Sequence, residues 1–423
     1  MLIAGAAAGV AATYVGARYG GLVSTGLCAS GRTITIGELL DLSSDLASQG
    51  VRAKGSSNLA ISDINSFLSA SGCNLKFAVT IDDYALNNQN ALTDLQSFAA
   101  SGVQVVVGPL NSGAAQFILT YANNNHIVLI SPSSTSVALA LPNDYLFRTA
   151  PNDRWQGQAD ARMFVSRNAT ALIIVQRLDP YGTALANATA AYFKADTTYT
   201  GSKGVVIDTI GYDTSTTDFT TVLGKLQTDF NSNVATYGAG HIALDFISFE
   251  EFGTLILKAH SAYPSYPWST LPWFGTDGEA QDSVVVNATT SGPYLSQVRM
   301  PSTLYGYLNN TKTFNLYNTF AAANPGNICD AYCLGAYDDV WLAALGTLQA
   351  GAYSGTAIQA IMSTVANNYF GVTGPTTLEA SGDRIATTYQ IWKVVTPTGG
   401  KPTWVFSGAW DAASDTLTWT SPP

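Results

Sequence analysis

The chain has 423 residues, 47% of them hydrophobic and only 11% charged, with a formal net charge of -10 at pH 7. That length suits two lobes of ordinary domain size, each able to bury a core of its own. The charged fraction is far below the roughly 25% of typical soluble domains, and its negative sign argues against nucleic-acid or anionic-membrane partners, because neither polyanion gains by approaching such a surface.

Met1 to Ala17 carries no charge and reads as an Ala/Gly-rich apolar helix, roughly 25 Å long at about 1.5 Å per residue and slightly short for a bilayer core. It lacks the basic start of a signal peptide, and a membrane anchor would contain more Leu, Ile or Phe. Gly5 and Gly9 form a GxxxG step with Ala12 and Gly16 nearby, a small-residue stripe that suits helix–helix packing. Signal, anchor and assembly element all stay open.

After a Gly-rich linker around Gly20 to Gly31, apolar runs alternate with amphipathic segments. ITIGELL, a helical stretch through Leu59 and Ile64, LKFAVTI, a helix near Leu92 to Ala100, VQVVVG, a helix near Ala115 to Ala122 and IVLIS follow one another. The pattern resumes with ALIIVQ, GVVIDTI, HIALDFISF and LPWFGTDG, with helices near Ala184 to Phe193, Phe219 to Phe230 and Phe252 to His260. Strands alternating with helices predict doubly wound parallel α/β sheets, one per lobe. Tyr332 to Ala350 reads as another helix, and TYQIWKVV and TWVFSGAW alternate in β fashion as a C-terminal extension.

Four cysteines form an even set without zinc-ligand spacing, which favours disulfides over free thiols. Cys28 and Cys73 each lie just before a strand, and neighbouring parallel strands would bring them together. The expected bridges are Cys28 to Cys73 and Cys329 to Cys333. Four sequons, at Asn168, Asn187, Asn287 and Asn309, are consistent with an exported and glycosylated chain.

Enzyme signatures are weak. The adjacent carboxylates Glu250–Glu251 and Asp338–Asp339 would point to opposite faces of a strand, so solvated faces are expected for them. His126, His241 and His260 lack metal-ligand spacing, and no GxSxG elbow or phosphate-binding Walker loop is present. Neither catalytic residues, metal nor cofactor are expected.

Seven segments then occur in one order: ITIGELLDLSSDLASQGVRAKGSSNLAISDIN, SGVQVVVGPLNSGAA, NNNHIVLISPSSTS, FRTAPND, LPWFGTDG, AYDDVW and FGVTGPTTLEASGDR. Together, from about Thr33 to Val394, they resemble the leucine/isoleucine/valine-binding branch of the type I periplasmic solute-binding proteins. The resemblance implies a three-crossover hinge near Arg148, Asp277 and Gly371. Residues 1–26 would be the N-terminal helix and linker, 27–148 plus 279–371 the first lobe, and 149–278 plus 372–423 the second lobe with its β extension.

The resemblance also implies a function: capture of a small polar ligand, an amino acid above all, between the lobes for the permease of an ABC transporter. Ser112, Ser133 and Thr135 would then donate to the ligand carboxylate, Tyr181 would lie over the ligand, and Asp277 would receive its ammonium group. Ser248, Phe249 and Glu250 would complete the second-lobe wall. Such a protein works outside the cytoplasm, at the cell surface or anchored there by its N-terminal segment. The competing reading is a structural surface or filament protein that reuses the binding fold and assembles into homo-oligomers through Met1 to Ala17.

Overall fold

A computed structural model of the chain describes residues 26–196, 203–287, 289–307 and 309–423. Met1 to Ala17 lies outside them. The chain divides into two compact units: one runs to Ser134 and adds Leu139–Ala150 and Tyr307–Ile385, and the other comprises Thr135–Ala138, Pro151–Gly306 and Ala386–Pro423.

In the first unit the apolar, β-branched runs become β1 (Thr33–Leu40), β2 (Lys76–Asp83), β3 (Val105–Val107), β4 (Val128–Ser131) and β5 (Leu146–Pro151). With β13 (Asp383–Arg384) they form a six-stranded sheet of order β13-β5-β4-β3-β1-β2. Strands β1 and β2 run parallel and in register from Thr33 opposite Lys76 to Leu40 opposite Asp83. The helices Ala47–Ala70, Asn88–Ala100 and Ser112–Asn125 make the crossovers that parallel pairing requires. A two-stranded ribbon of β11 (Phe370–Gly371) and β12 (Gly374–Pro375) lies in the same unit.

The second unit repeats the plan. Strands β6 (Ala171–Arg177), β7 (Val205–Tyr212), β8 (Ile242–Ile247), β9 (Trp273–Gly275) and β10 (Ser302–Gly306) take the order β7-β6-β8-β9-β10. Its core is aromatic: the Phe246 and Trp273 rings stack with centroids 4.5 Å apart, and Trp268 meets Trp273 edge-on at 5.9 Å. The sheet then continues antiparallel through β14 (Thr388–Val395), β15 (Thr403–Asp411) and β16 (Thr416–Trp419). This meander is the extension expected from the alternation in TYQIWKVV and TWVFSGAW.

Apart from the short excursion of Thr135–Ala138, the chain passes between units at 150/151, 306/307 and 385/386, whereas the expected second and third crossovers lay earlier, near Asp277 and Gly371. The physical reason is strand pairing at each end. Strand β10 is tied to β14 from Ser302 opposite Trp392 to Gly306 opposite Thr388, so residues 279–306 stay with the second unit. Strand β13 joins the first sheet, and the Asp383 carboxylate grips the fully buried Arg148 guanidinium at 2.6 and 2.7 Å, so residues 372–385 stay with the first.

Two disulfides join Cys28 to Cys73 and Cys329 to Cys333, with Cα atoms 4.6 and 5.2 Å apart. The second sits at the start of the helix Ala331–Ala350, where Asp330 accepts the Cys333 N–H at 2.9 Å and pairs with Arg52 at 2.9 Å. That helix is buried around most of its circumference. Asp338 and Asp339 are therefore fully buried on a helix, which corrects the expectation of a solvated strand face. The pair was read with strand geometry, but the nonpolar residues on both sides of it belong to a helix covered on several faces.

Candidate functional site

Both five-strand sets, β2-β1-β3-β4-β5 and β7-β6-β8-β9-β10, reverse direction of growth once, between β1 and β3 and between β6 and β8. Ligands of open α/β sheets bind outside the carboxyl ends of strands at such switch points. The residues singled out from sequence follow the carboxyl ends of strands: Ser112 after β3, Tyr181 after β6 and Ser248 to Glu250 after β8 flank the switch points, and Ser133 and Thr135 after β4 and Asp277 after β9 lie one strand further on.

In the first unit the loops after β3 and β4 are fastened to one another by hydroxyls. Ser131 Oγ donates to the Pro109 carbonyl at 2.7 Å, Ser133 Oγ donates to the Leu110 carbonyl at 2.6 Å, and Ser134 Oγ lies 3.1 Å from the Pro109 carbonyl. Gly108 adopts φ +100°, and a Cβ there would meet the Leu39 carbonyl at 2.3 Å, so the close approach of the GPLNSG loop to β1 requires glycine. Ser112 is the first residue of the helix Ser112–Asn125, and its side chain is buried. The Ser133 hydroxyl is thus engaged inside the loop pair, and Ser133 acts as a fastener of the loop that carries it.

In the second unit, Asp179 caps the helix Pro180–Ala195 by accepting the Gly182 N–H at 2.8 Å, which sets Tyr181 in its first turn. The Tyr181 hydroxyl donates to Asp277 Oδ1 at 2.6 Å and lies 3.0 Å from Thr276 Oγ1. Gln156 Nε2 donates to the same Asp277 oxygen at 3.0 Å and to Thr303 Oγ1 at 3.0 Å. Asp277 is only 2% exposed, so these donors hold its carboxylate in one orientation. Burial and the neighbouring Asp277 carboxylate hold the Tyr181 phenol protonated, well above its usual range.

The Tyr181 ring also stacks on Phe249 at 5.2 Å, and the Arg177 guanidinium lies over the Phe249 ring at 3.7 Å. Arg177 is held by Glu251 at 2.7 Å and Asp179 at 2.7 Å, while Glu251 also accepts from the Tyr212 hydroxyl at 2.8 Å and the Phe249 N–H at 3.0 Å. Glu251 is thereby a buried anchor of the loop after β8, not a solvated residue, and Glu250 beside it is half-buried. Ser248 donates its N–H to Glu279 Oε1 at 2.8 Å and its hydroxyl to the same oxygen, and Thr276 donates N–H and hydroxyl to Oε2 at 2.8 and 2.9 Å. Glu279 therefore staples the loops after β8 and β9, whose backbones approach so closely that a Cβ at Gly278 would meet the Ser248 carbonyl at 2.0 Å.

Sequence reasoning brought Tyr181, Ser248, Phe249 and Asp277 to one neighbourhood but missed Gln156, Arg177, Glu279 and Thr303. Only Glu279, two residues past Asp277 in TDGEA, carried a local signal. Among the described residues no group of His, Cys, Asp and Glu is arranged to hold a metal ion, and no helix is long and apolar enough to cross a membrane. The sequon residues Asn168, Asn187, Asn287 and Asn309 are all exposed.

Residues 33–401 match the family model described as periplasmic binding protein. An uncharacterized protein of Methanocaldococcus jannaschii, MJ1266, is 27% identical over 405 residues, covering 91% of each chain. The Leu/Ile/Val-binding protein homolog 1 of Brucella abortus is 28% identical over 195 residues, which is 45% of this chain and 50% of that one. Among solved structures, the branched-chain amino acid transporter substrate-binding protein LivJ of Streptococcus pneumoniae, in complex with isoleucine, superposes with a TM-score of 0.69 at 22% identity, covering 89% of this chain and all of that one. The leucine-binding protein LivK of Thermotoga maritima gives 0.73 at 15% identity, covering 90% and 99%.

Proposed function

The chain belongs to the periplasmic binding protein family, and we propose that it is an extracytoplasmic receptor that captures an amino acid and presents it to the permease of a membrane transporter, without catalysing a reaction. The observation that carries this reading is the Asp277 carboxylate, buried at the carboxyl end of a strand and oriented by Tyr181 and Gln156. A carboxylate fixed in this way offers a ligand ammonium group a charge-assisted hydrogen bond. The amino end of the helix Ser112–Asn125 carries the partial positive charge that suits a ligand carboxylate. Ser133 has the supporting role of holding that loop in shape. Ser248, Phe249 and Glu250 lie together on the second-unit loop after β8.

The names of the Brucella abortus relative and of the Streptococcus pneumoniae structure point toward branched-chain amino acids. The test is calorimetric titration with L-leucine, L-isoleucine and L-valine, their amides, and the amines lacking the carboxylate. Binding of the amino acids and rejection of both analogue sets supports the reading, and a preference for the amines overturns it. The filament alternative rests on Met1 to Ala17, outside the described residues, and no described contact favours it.

A further inference from the structure

Several carboxyl side chains are buried without the partners that an ionised carboxylate needs. In the first unit, Glu38 on β1 and Asp339 on the helix Ala331–Ala350 are both 0% exposed, and neither oxygen of either group accepts a hydrogen bond. The groups facing Glu38 are Asp339, the Ser57 hydroxyl from the helix Ala47–Ala70, and Lys54 at a distance. Asp339 faces Glu38, Asp338, Thr149 on β5 and Arg384 on β13. Ser57 and Thr149 are near enough to soften the effect of burial, but their hydroxyls do not reach hydrogen-bond geometry. Arg384 is directed to Thr373 at 2.8 Å and to the Pro375 carbonyl at 2.7 Å.

The second unit repeats the motif. Asp245 on β8 is 0% exposed and neither of its oxygens has a hydrogen-bond partner. The titratable groups that face it are Asp160 from the helix Asp153–Ser166 and Glu279 from the loop after β9. Asp160, also 0% exposed, receives the Thr303 hydroxyl at 2.7 Å and the Thr189 hydroxyl at 3.4 Å, and its other charged neighbour is Asp277. Neither Asp160, Asp245 nor Glu279 forms an ion pair with any described cation. Ionising such a set together would place like charges side by side in a medium that screens them poorly.

We propose that Glu38, Asp339, Asp160 and Asp245 are neutral carboxylic acids in the native protein, so that each of them contributes stability that grows as the surroundings turn acidic. Burial pushes Glu38 up to about 8 and raises Asp339, Asp160 and Asp245 well above the usual carboxylate range. A carboxyl raised on folding binds a proton that the unfolded chain releases. Its contribution to stability is therefore complete below the unfolded pKa of about 4 and is lost as pH rises through the native value, which for Glu38 sets a window from about 4 to about 8. Inside that window each group shifts the folding equilibrium about tenfold per pH unit.

The experiment compares thermal unfolding of the full chain with that of Glu38→Gln and Asp245→Asn at pH 4, 5.5 and 7. The amides keep the shape of the neutral acids and cannot ionise. Each variant should melt with the wild type at pH 4 and about 5 to 10 °C above it at pH 7. The native ion pairs that weaken in acid are common to all three proteins and drop out of the comparison. A variant offset from the wild type by the same amount at every pH would overturn the proposal. If an amide variant does not fold, infrared spectroscopy of the wild type decides: a protonated-carboxyl stretch at pH 7 supports the proposal, and its absence overturns it.

Discussion

Replacing Asp277 by asparagine removes one charge from the candidate site and little else. The carboxylate is 2% exposed, and its Oδ1 accepts the Tyr181 hydroxyl at 2.6 Å and the Gln156 amide at 3.0 Å. An asparagine oxygen at the same place can accept both donors, so the second unit should keep its fold. What disappears is the charge-assisted bond to a ligand ammonium group. Hydrogen bonds to charged partners contribute about 1.5 to 3 kcal/mol, which predicts an affinity loss of about 10- to 150-fold. Tyr181→Phe leaves the charge and removes one donor that orients it, so its loss should be smaller, from a few-fold to about tenfold. Calorimetric titration of L-leucine into wild type and both variants, with melting curves recorded alongside, measures the effect. An Asp277→Asn protein with unaltered affinity and unaltered melting temperature would refute the assignment of Asp277 to the ammonium group. A Tyr181→Phe loss larger than that of Asp277→Asn would show that the phenol itself, not the carboxylate it orients, contacts the ligand.

Arg148→Met strands the buried Asp383 carboxylate, now held by two bonds of 2.6 and 2.7 Å, and should cost about 3 to 5 kcal/mol in chemical denaturation; a loss under about 1 kcal/mol would show that the pair adds little to the stability of the first unit. The Cys28–Cys73 bridge closes a loop with a sequence separation of 45 and the Cys329–Cys333 bridge one of only 4, so chain entropy predicts contributions of about 4 and about 2 kcal/mol. Replacing each pair by serines and comparing melting temperatures should place the Cys28–Cys73 variant lower, and the reverse order would show that the tie at the start of the helix Ala331–Ala350 outweighs loop closure.

The sequence by itself determined the alternation of strands and helices, the number of lobes and the loops that follow the strands. Those features are local: ITIGELL becomes β1 because a short β-branched run between turn residues has few other stable options, and GPLNSG becomes a tight loop because Gly108 sits where a side chain cannot. The disulfide partner of Cys28 was legible for a related reason, since two cysteines before adjacent parallel strands are brought together by the strand pairing itself. The strands β5 and β10 were not legible. FRTAPND and STLYG lack a strong alternating pattern, and they become strands because a neighbouring strand, β4 or β14, presents an edge for them to complete.

The environment of each charged side chain was decided only by tertiary structure. Asp338 and Asp339 form the same dipeptide whether solvated or buried; what fixes their state is the return of Val372 and Thr373, 34 and 35 positions away, to donate three hydrogen bonds to Asp338, while Asp339 beside it is left among Glu38 and Thr149. Likewise Tyr181 and Gln156 reach Asp277 across separations of 96 and 121 residues, distances set by the order β6-β8-β9 within the sheet. Periodicity encodes which face of an element is buried, but the partner met on that face is set by strand order, and local sequence carries no record of it.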